Sequence, residues 1–174
     1  INYGLDAAKL IDRDISFTSI YQDIGSASPM WMSVQKEFLL LSSLMESHQI
    51  KFYSTIPESL EIYMDSLFTK VCYNLIENAI RHGDISQITL SSEEKNGYMY
   101  IYLSDNGIGV PEKEKLKIFH RGHGKNTGMG LFLTRDILDI TGISIREIGK
   151  EGCGAVFQLL IPPGGFRYAN DLNL

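Results

Sequence analysis

The sequence predicts an α+β protein, a two-layer α/β sandwich in which a mixed sheet is covered by about three helices and preceded by an N-terminal helix. Three observations favour this fold. Stretches with helical apolar spacing alternate with short strand-like stretches, two segments have the pattern of β-hairpins, and glycine or proline clusters separate them. With 174 residues, 44% of them hydrophobic, the chain is long enough for one well-packed core.

The first part of the chain is predicted to be mostly helical. A helix is expected over residues 1–24, where one apolar stripe repeats every three or four positions, at Ile1, Leu5, Ala8, Ile11 and Ile15. The breaker sequence GSASP follows, so we assign 25–32 to a linker. A second helix is predicted over about 33–47.

The rest of the chain alternates between strands and helices. Strands are predicted at 49–56 and 60–64, and a helix over 66–82 is expected to end at Gly83. The hairpins are expected at 86–105, with its turn at Asn96-Gly97, and at 143–161, on either side of a helix at 130–141. The globular domain then covers 33–163, and the polar tail 164–174 is expected to fray.

Composition excludes some classes of function. The net charge is −5 and the pI about 5.3, which argues against a broad nucleic-acid-binding face. Cys72 and Cys153 lack metal-ligand spacing, so we expect core or near-core thiols in a reducing, cytoplasmic compartment. No apolar run has the length of a membrane span. Because the chain starts at Ile1, we expect a piece of a longer protein, whose upstream part could carry a membrane anchor.

The sequence YNLIENAIRHG at 73–83 places two asparagines inside an otherwise good helix. Asparagine disfavours helix interiors because its side chain competes for backbone hydrogen bonds. Asn74, Asn78 and Arg81 share one row of the helix, where they form either a solvated face or a set of neutral oxygen ligands and phosphate donors.

Three glycine pairs follow this helix. DNGIGV at 105–110 leaves a strand, so that Asp105 either forms an ordinary turn or accepts a hydrogen bond from an exocyclic amine. KNTGMG at 125–130 precedes a helix, as in anion sites at helix N-termini, and EGCGAVF at 151–157 lies in the second hairpin.

The order of these motifs resembles the nucleotide-binding domain of sensor histidine kinases. The asparagine helix, DNGIGV, IFHRG, TGMG and GCG follow one another as in that family, over roughly residues 33–163. The family belongs to the Bergerat superfamily, with type II topoisomerases, mismatch-repair ATPases and the ninety-kilodalton heat-shock chaperone. The resemblance implies binding of ATP and Mg²⁺.

On the asparagine helix, the resemblance assigns four roles. Asn78 would be the principal magnesium ligand, and Asn74 would lie one turn away beside the phosphates. Arg81 would contact phosphate oxygens. His82 would border the sugar or base, or be an ordinary histidine at a helix end.

In the glycine-rich segments, the resemblance places Asp105 on the adenine amino group. Gly107 and Gly109 would make room for the base, with Ile108 among its apolar neighbours.

The segment between these glycines and the next helix resembles a short ATP lid of eight residues, 120–127. Phe119 would anchor the lid and Arg121 would sense phosphate, whereas Lys125 would add a charge or be a mobile surface lysine. The phosphates would be cradled by the residues Gly128, Met129, Gly130 and Leu131.

Asn74 distinguishes this chain from the hydrolysing relatives, which have a glutamate general base at that place. An amide accepts no proton near neutral pH, and Glu77 lies off the row. We therefore expect a protein-histidine kinase that keeps the γ-phosphoryl group for another nucleophile, through positioning and charge neutralisation.

The acceptor histidine of that family is expected upstream of this chain. None of His48, His82, His120 and His123 has its context, whereas 1–24 resembles the second helix of the dimerisation hairpin. The isolated chain should therefore bind ATP without autophosphorylating. The implied partners are the dimerisation and phosphoacceptor hairpin of the same kinase and the receiver domain of a response regulator, with a homodimeric full-length protein and no nucleic acid.

The sequence departs from the family pattern at Ala155, and three alternative functions are left open. Ala155 stands where the family commonly has a threonine linked through water to the adenine-binding aspartate, which puts base affinity in question. The alternatives are a Bergerat ATPase machine, a non-catalytic nucleotide-sensing module and a serine kinase of the anti-sigma type.

Overall fold

The computed structural model describes residues 22–123 and 129–169, together with Ser19, and these include eight strands, four α-helices and two short 3₁₀-helices, Glu112–Glu114 and Lys117–Phe119. The strands are β1 (Met30–Ser33), β2 (Lys51–Ser54), β3 (Leu60–Met64), β4 (Gln87–Lys95), β5 (Tyr98–Asp105), β6 (Ser144–Glu147), β7 (Val156–Ile161) and β8 (Phe166–Tyr168). The helices are α1 (Val34–Leu39), α2 (Ser42–Ser47), α3 (Phe68–Gly83) and α4 (Gly130–Asp139). The helix expected over residues 1–24 falls almost entirely outside the described residues.

The strands form two sheets, where the sequence had suggested one. The larger sheet has the order β2-β4-β5-β7-β6, in which β2 and β4 are parallel and every other pair is antiparallel. A smaller antiparallel sheet has the order β1-β3-β8. Its strands come from the predicted linker range, from 60–64 and from the tail expected to fray, so that Phe166 pairs with Ile62.

The hairpin at 86–105 is confirmed. Asn96 and Gly97 have φ angles of 54° and 78°, the left-handed region that a tight two-residue turn between twisted strands requires. Along β5, Met99, Ile101 and Leu103 are buried while the alternate side chains are half-buried or exposed. The hydrophobic alternation therefore sets which face of the sheet meets the helices.

The helical layer differs from the prediction in two places. The helix expected over 33–47 is broken into α1 and α2, because the amide of Leu41 bonds to the carbonyl of Phe38 and tightens the chain there. Helix α3 includes Gly83, and its C-cap is Asp84 with a φ angle of 49°. Aspartate tolerates the left-handed conformation better than most residues, so it replaces glycine in this role.

A single apolar cluster lies between the helices and the larger sheet. Helix α3 contributes Phe68, Val71, Cys72, Leu75, Ile76 and Ala79 to it. Cys72 is buried, but Cys153 is exposed on the loop between β6 and β7, so the prediction of a core or near-core thiol is wrong for Cys153. Within the described part of the chain, no helix is long and apolar enough to cross a membrane.

Candidate functional site

The turn that follows β5 holds the carboxylate of Asp105 in a fixed position. Oδ1 of Asp105 accepts hydrogen bonds from the backbone amides of Gly107, at 2.9 Å, and Ala155, at 3.0 Å. Among the described residues none hydrogen-bonds to Oδ2, and the side chain is half-buried. The carboxylate is thus oriented by the backbone and has one oxygen left to accept a further donor.

The loop between β6 and β7 packs directly against this turn. A Cβ atom at Gly109 would lie 2.9 Å from the carbonyl oxygens of both Gly154 and Lys150, and the φ angle of Gly109 is +71°. The amide of Gly152 donates to the carbonyl of Ile108 at 2.7 Å. Gly109 is therefore required by close approach of two backbones, whereas Ile108 itself is exposed.

Ala155 reaches Asp105 through its main chain. Its amide bonds to the carboxylate, and its carbonyl oxygen accepts from the amide of Asp105 at 3.0 Å. A threonine side chain is unnecessary for these two contacts, because the backbone alone supplies them. Ala155 and Asp105 are therefore connected directly through the backbone.

Asn74, by contrast, lies inside the structure. Only 6% of its surface is exposed, and its Nδ2 donates to the carbonyl of Gly130 at 3.0 Å and to Oγ1 of Thr134 at 3.3 Å. The two hydrogen bonds therefore fasten α3 to the first two turns of α4. The solvated-face interpretation does not hold for Asn74, which joins two of the segments that the sequence singled out.

Replacing Asn74 with aspartate should lower the free energy of unfolding by about 2 kcal/mol, since a buried acceptor would then face the acceptor carbonyl of Gly130. Urea unfolding followed by circular dichroism measures this change. Asn78→Ala, one turn along the same helix, is the matched control and should stay within about 0.5 kcal/mol of the parent. Equal stability of the Asn74→Asp variant would show that the two amide bonds contribute nothing.

Asn78 and Arg81 differ in whether their side chains have partners within the described part of the protein. Within the described ranges the half-buried carboxamide of Asn78 has no hydrogen-bond partner, so its oxygen is free to act as a ligand. The guanidinium of Arg81 instead pairs with Glu77 at 2.6 Å, and the Tyr73 hydroxyl donates to the same carboxylate at 3.3 Å. The guanidinium of Arg81 is therefore held by Glu77 on the surface of α3. His82 is exposed.

Helix α4 begins without a side-chain cap. Its N-cap is Met129, which makes no side-chain capping hydrogen bond, so within the described residues no side chain caps the amides of the first turn. Leu131 is buried at this end, and Gly130 lies against Asn74, whose Oδ1 would be 3.8 Å from a Cβ atom there. An uncapped helix N-terminus suits phosphate oxygens. Lys125 and Gly128 lie outside the described residues.

The segment before α4 is anchored by Phe119. This ring is 6% exposed and meets Phe157 of β7 edge-on, with centroids 6.3 Å apart. Arg121 follows on the exposed side of the same segment and interacts with another group. Most of the expected lid beyond it lies outside the described residues.

Glu114 ties this segment to His123. Nε2 of His123 lies 2.6 Å from one carboxylate oxygen of Glu114, and Nζ of Lys117 lies 3.6 Å from the other. Partial desolvation raises the pKa of Glu114, but the hydrogen bond from His123 and the charge of Lys117 outweigh it and place the pKa below its usual range. The contact therefore favours the ionised carboxylate.

Sequence reasoning missed several residues around Asp105. Oδ1 of Asn106 accepts from the amides of Ser86 and Gln87, both at 3.0 Å, and so fastens the DNGIG turn to the start of β4. The buried Glu147 and the half-buried Lys115 form an ion pair beside the β6–β7 loop. Asn106 sits within a quoted motif and could have been found, but the partner of Lys115 is 32 residues away and carries no local signal.

The sequence profile of the histidine kinase-, DNA gyrase B- and HSP90-like ATPases matches residues 65–165. This range contains α3, the Asp105 turn, α4 and the loop between β6 and β7. The profile thus covers every segment from which the site was built.

Individual relatives agree with this match. Histidine kinase P4 of Formosa agariphila is 32% identical over 119 residues, which is 60% of this chain and 9% of that protein. The sensor histidine kinase GraS of Staphylococcus epidermidis is 24% identical over 172 residues, 93% of this chain and 49% of GraS. The chain spans less than half the length of these curated relatives.

The fold is that of histidine kinase catalytic domains. The nucleotide-free catalytic domain of the histidine kinase ThkA superposes with a TM-score of 0.66 at 26% identity, covering 78% of this chain and 96% of that domain. ThkA in complex with the response regulator TrrA superposes with a TM-score of 0.72 at 22% identity, over 94% of this chain and 51% of ThkA.

Proposed function

Since this chain belongs to the family of histidine kinase-, DNA gyrase B- and HSP90-like ATPases, we propose that it is the ATP-binding catalytic domain of a two-component sensor histidine kinase. It transfers the γ-phosphoryl group of ATP to a histidine of the dimerisation hairpin of the same kinase. A receiver domain of a response regulator then takes the group from that histidine.

The arrangement of Asp105 carries this proposal. Two backbone amides hold Oδ1 and leave Oδ2 to accept a hydrogen bond from the adenine amino group. Because the amides come from the DNGIG turn and from the β6–β7 loop, the carboxylate is oriented before any base arrives. Preorganised acceptors of this kind give selectivity at little entropic cost.

The residues present suit a magnesium ion and a triphosphate. Asn78 supplies a neutral oxygen that lacks a protein partner within the described ranges, which is a ligand that Mg²⁺ accepts. Bound there, the ion would neutralise charge on the phosphates. The uncapped first turn of α4 offers backbone amides to the same phosphates. Arg81 would exchange Glu77 for a phosphate oxygen, since this exposed ion pair is weak.

Asn74 favours phosphoryl transfer over hydrolysis. Its amide hydrogens are both bound within the protein, and an amide cannot take a proton from water. The site therefore orients ATP and stabilises charge, which is the larger part of what phosphoryl transfer requires. A Bergerat-type ATPase would need a base at this place.

The complex of ThkA with its response regulator supports a receiver domain as the second partner. We also propose that the full-length protein is a homodimer joined through its dimerisation hairpin and that this domain lies in the cytoplasm.

Calorimetric titration of this chain with a non-hydrolysable ATP analogue tests the proposal, in the presence and absence of magnesium. We expect micromolar binding that Asn78→Ala weakens about tenfold in magnesium and changes little without it. The helix and its anchor through Asn74 stay intact in this variant, so the loss would report the ligand oxygen.

Phosphotransfer completes the test. An acceptor hairpin supplied in trans should become phosphorylated on histidine by this chain and radiolabelled ATP. Multiple-turnover release of phosphate without a phosphorylated acceptor would instead favour the ATPase. Binding without either reaction would favour a nucleotide-sensing module.

A further inference from the structure

A buried carboxylate shapes the loop that faces Asp105. Glu147 ends β6, and its side chain is fully buried. Oε1 accepts hydrogen bonds from the amides of Gly149, at 2.8 Å, and Val156, at 2.9 Å, which are the two ends of the β6–β7 loop. The carboxylate thus bridges the two ends of the loop and holds them together.

Lys115 approaches this carboxylate from a different part of the chain. Its Nζ lies 3.5 Å from Oε2 of Glu147, donates to the carbonyl of Gly149, and lies 2.9 Å from the exposed Glu112. Its side chain is only 13% exposed. The hydrogen bond with Glu112 and the charge of Glu147 raise the pKa of Lys115, although partial burial opposes them. The ammonium group of Lys115 therefore has three oxygen atoms as neighbours.

Such a pair is a weak source of stability. Removing two charges from water costs several kcal/mol, and their attraction in the interior often only repays it. Oε2 of Glu147 makes no hydrogen bond within the described residues, and Lys115 is its charged neighbour at 3.5 Å. The pair is better explained by what it positions than by net stabilisation.

The ion pair positions the β6–β7 loop, which supplies a hydrogen-bond partner of Asp105. The loop closed by Glu147 contains Gly152, bonded to Ile108, and ends at Ala155, whose amide orients Oδ1 of Asp105. Lys115 lies ten residues after Asp105 and four before the anchoring ring of Phe119. It therefore fastens the stretch of chain between the DNGIG turn and Phe119 to the β6–β7 loop.

We propose that Lys115 and Glu147 are positioning residues whose ion pair holds the β6–β7 loop against Asp105 and thereby sets the preference for adenine over a base without its amino group. The proposal rests on the proposed function, because it takes Asp105 as the acceptor for the base. It predicts an effect on selectivity beyond any effect on overall stability.

The test compares two ligands on four proteins. The unmodified chain, Lys115→Met, Glu147→Gln and the control Lys113→Met are titrated with non-hydrolysable analogues of ATP and of inosine triphosphate. Lys113 is exposed on the same turn. The ratio of the two affinities should fall about fivefold or more in Lys115→Met and Glu147→Gln and stay unchanged in Lys113→Met.

Hydrogen exchange at the Ala155 amide in the nucleotide-free protein gives a second readout. Its protection should fall about tenfold in Lys115→Met, while amides in the centre of β5 keep theirs. Because it is made on Lys115→Met, this measurement tests the proposal even if Glu147→Gln fails to fold. Failure of the unmodified chain to bind either analogue would refute the proposed function, and exchange would still decide whether the pair holds Ala155.

Two results would overturn the positioning role. One is an equal loss of affinity for both analogues with the ratio preserved, which is what general loosening of the fold produces. The other is unchanged protection of Ala155 in Lys115→Met.

Discussion

Gly154→Ala should weaken binding of a non-hydrolysable ATP analogue by about 100-fold or more. A Cβ atom at Gly154 would overlap the carbonyl oxygen of Asp105 and lie 2.8 Å from its carbonyl carbon, and the φ angle is +97°. Neither neighbour is the end of a flexible side chain, so the loop and the Asp105 turn must separate. The carboxylate would then lose the amide of Ala155 that orients it.

Gly152→Ala is the matched control for this variant. Gly152 has a φ angle of +84°, but a Cβ atom there would meet nothing within 4 Å. The two variants share the backbone strain, about 1–2 kcal/mol, and differ in the clash. Titration should find Gly152→Ala within about threefold of the parent. Equal affinities for the two variants would mean that strain, and not contact with Asp105, governs the loop.

Local patterns were enough to predict the elements whose partners are close in sequence. The hairpin at 86–105 follows from alternation and from Asn96-Gly97, and α3 follows from its apolar stripe. The smaller sheet was missed because β1, β3 and β8 are separated by long stretches of chain. Their pairing depends on tertiary packing that no short window contains.

The same limit applies to the site. Asp105, Gly109 and the uncapped start of α4 lie in motifs that could be recognised, and the structure brings Asp105 and Gly109 together with the β6–β7 loop. A helical wheel placed Arg81 with the asparagines, but its ion pair with Glu77 depends on rotamers that a wheel does not include. The contacts of Asn74 with α4 could not be predicted from a local pattern either, since Gly130 is 56 residues away.

Asp105→Asn should change which base the site prefers. Asparagine keeps one oxygen to accept the amides of Gly107 and Ala155, so the turn and the loop stay in place. It also puts an amide donor where Oδ2 was. That donor opposes the amino group of adenine but meets the carbonyl oxygen of hypoxanthine favourably, and each mismatch of this kind costs about 1–3 kcal/mol.

We therefore expect Asp105→Asn to bind the ATP analogue about 30-fold more weakly than the parent does. The same variant should bind the inosine triphosphate analogue more tightly than the parent does. Calorimetric titration of both analogues gives the two affinities, and thermal unfolding shows whether the fold is kept. Asp105→Ala is the control, since it removes the acceptor for both amides as well and should weaken both analogues together. If Asp105→Asn also weakened both alike, the carboxylate would act through the shape of the turn, and direct contact with the base would be excluded as the source of its effect.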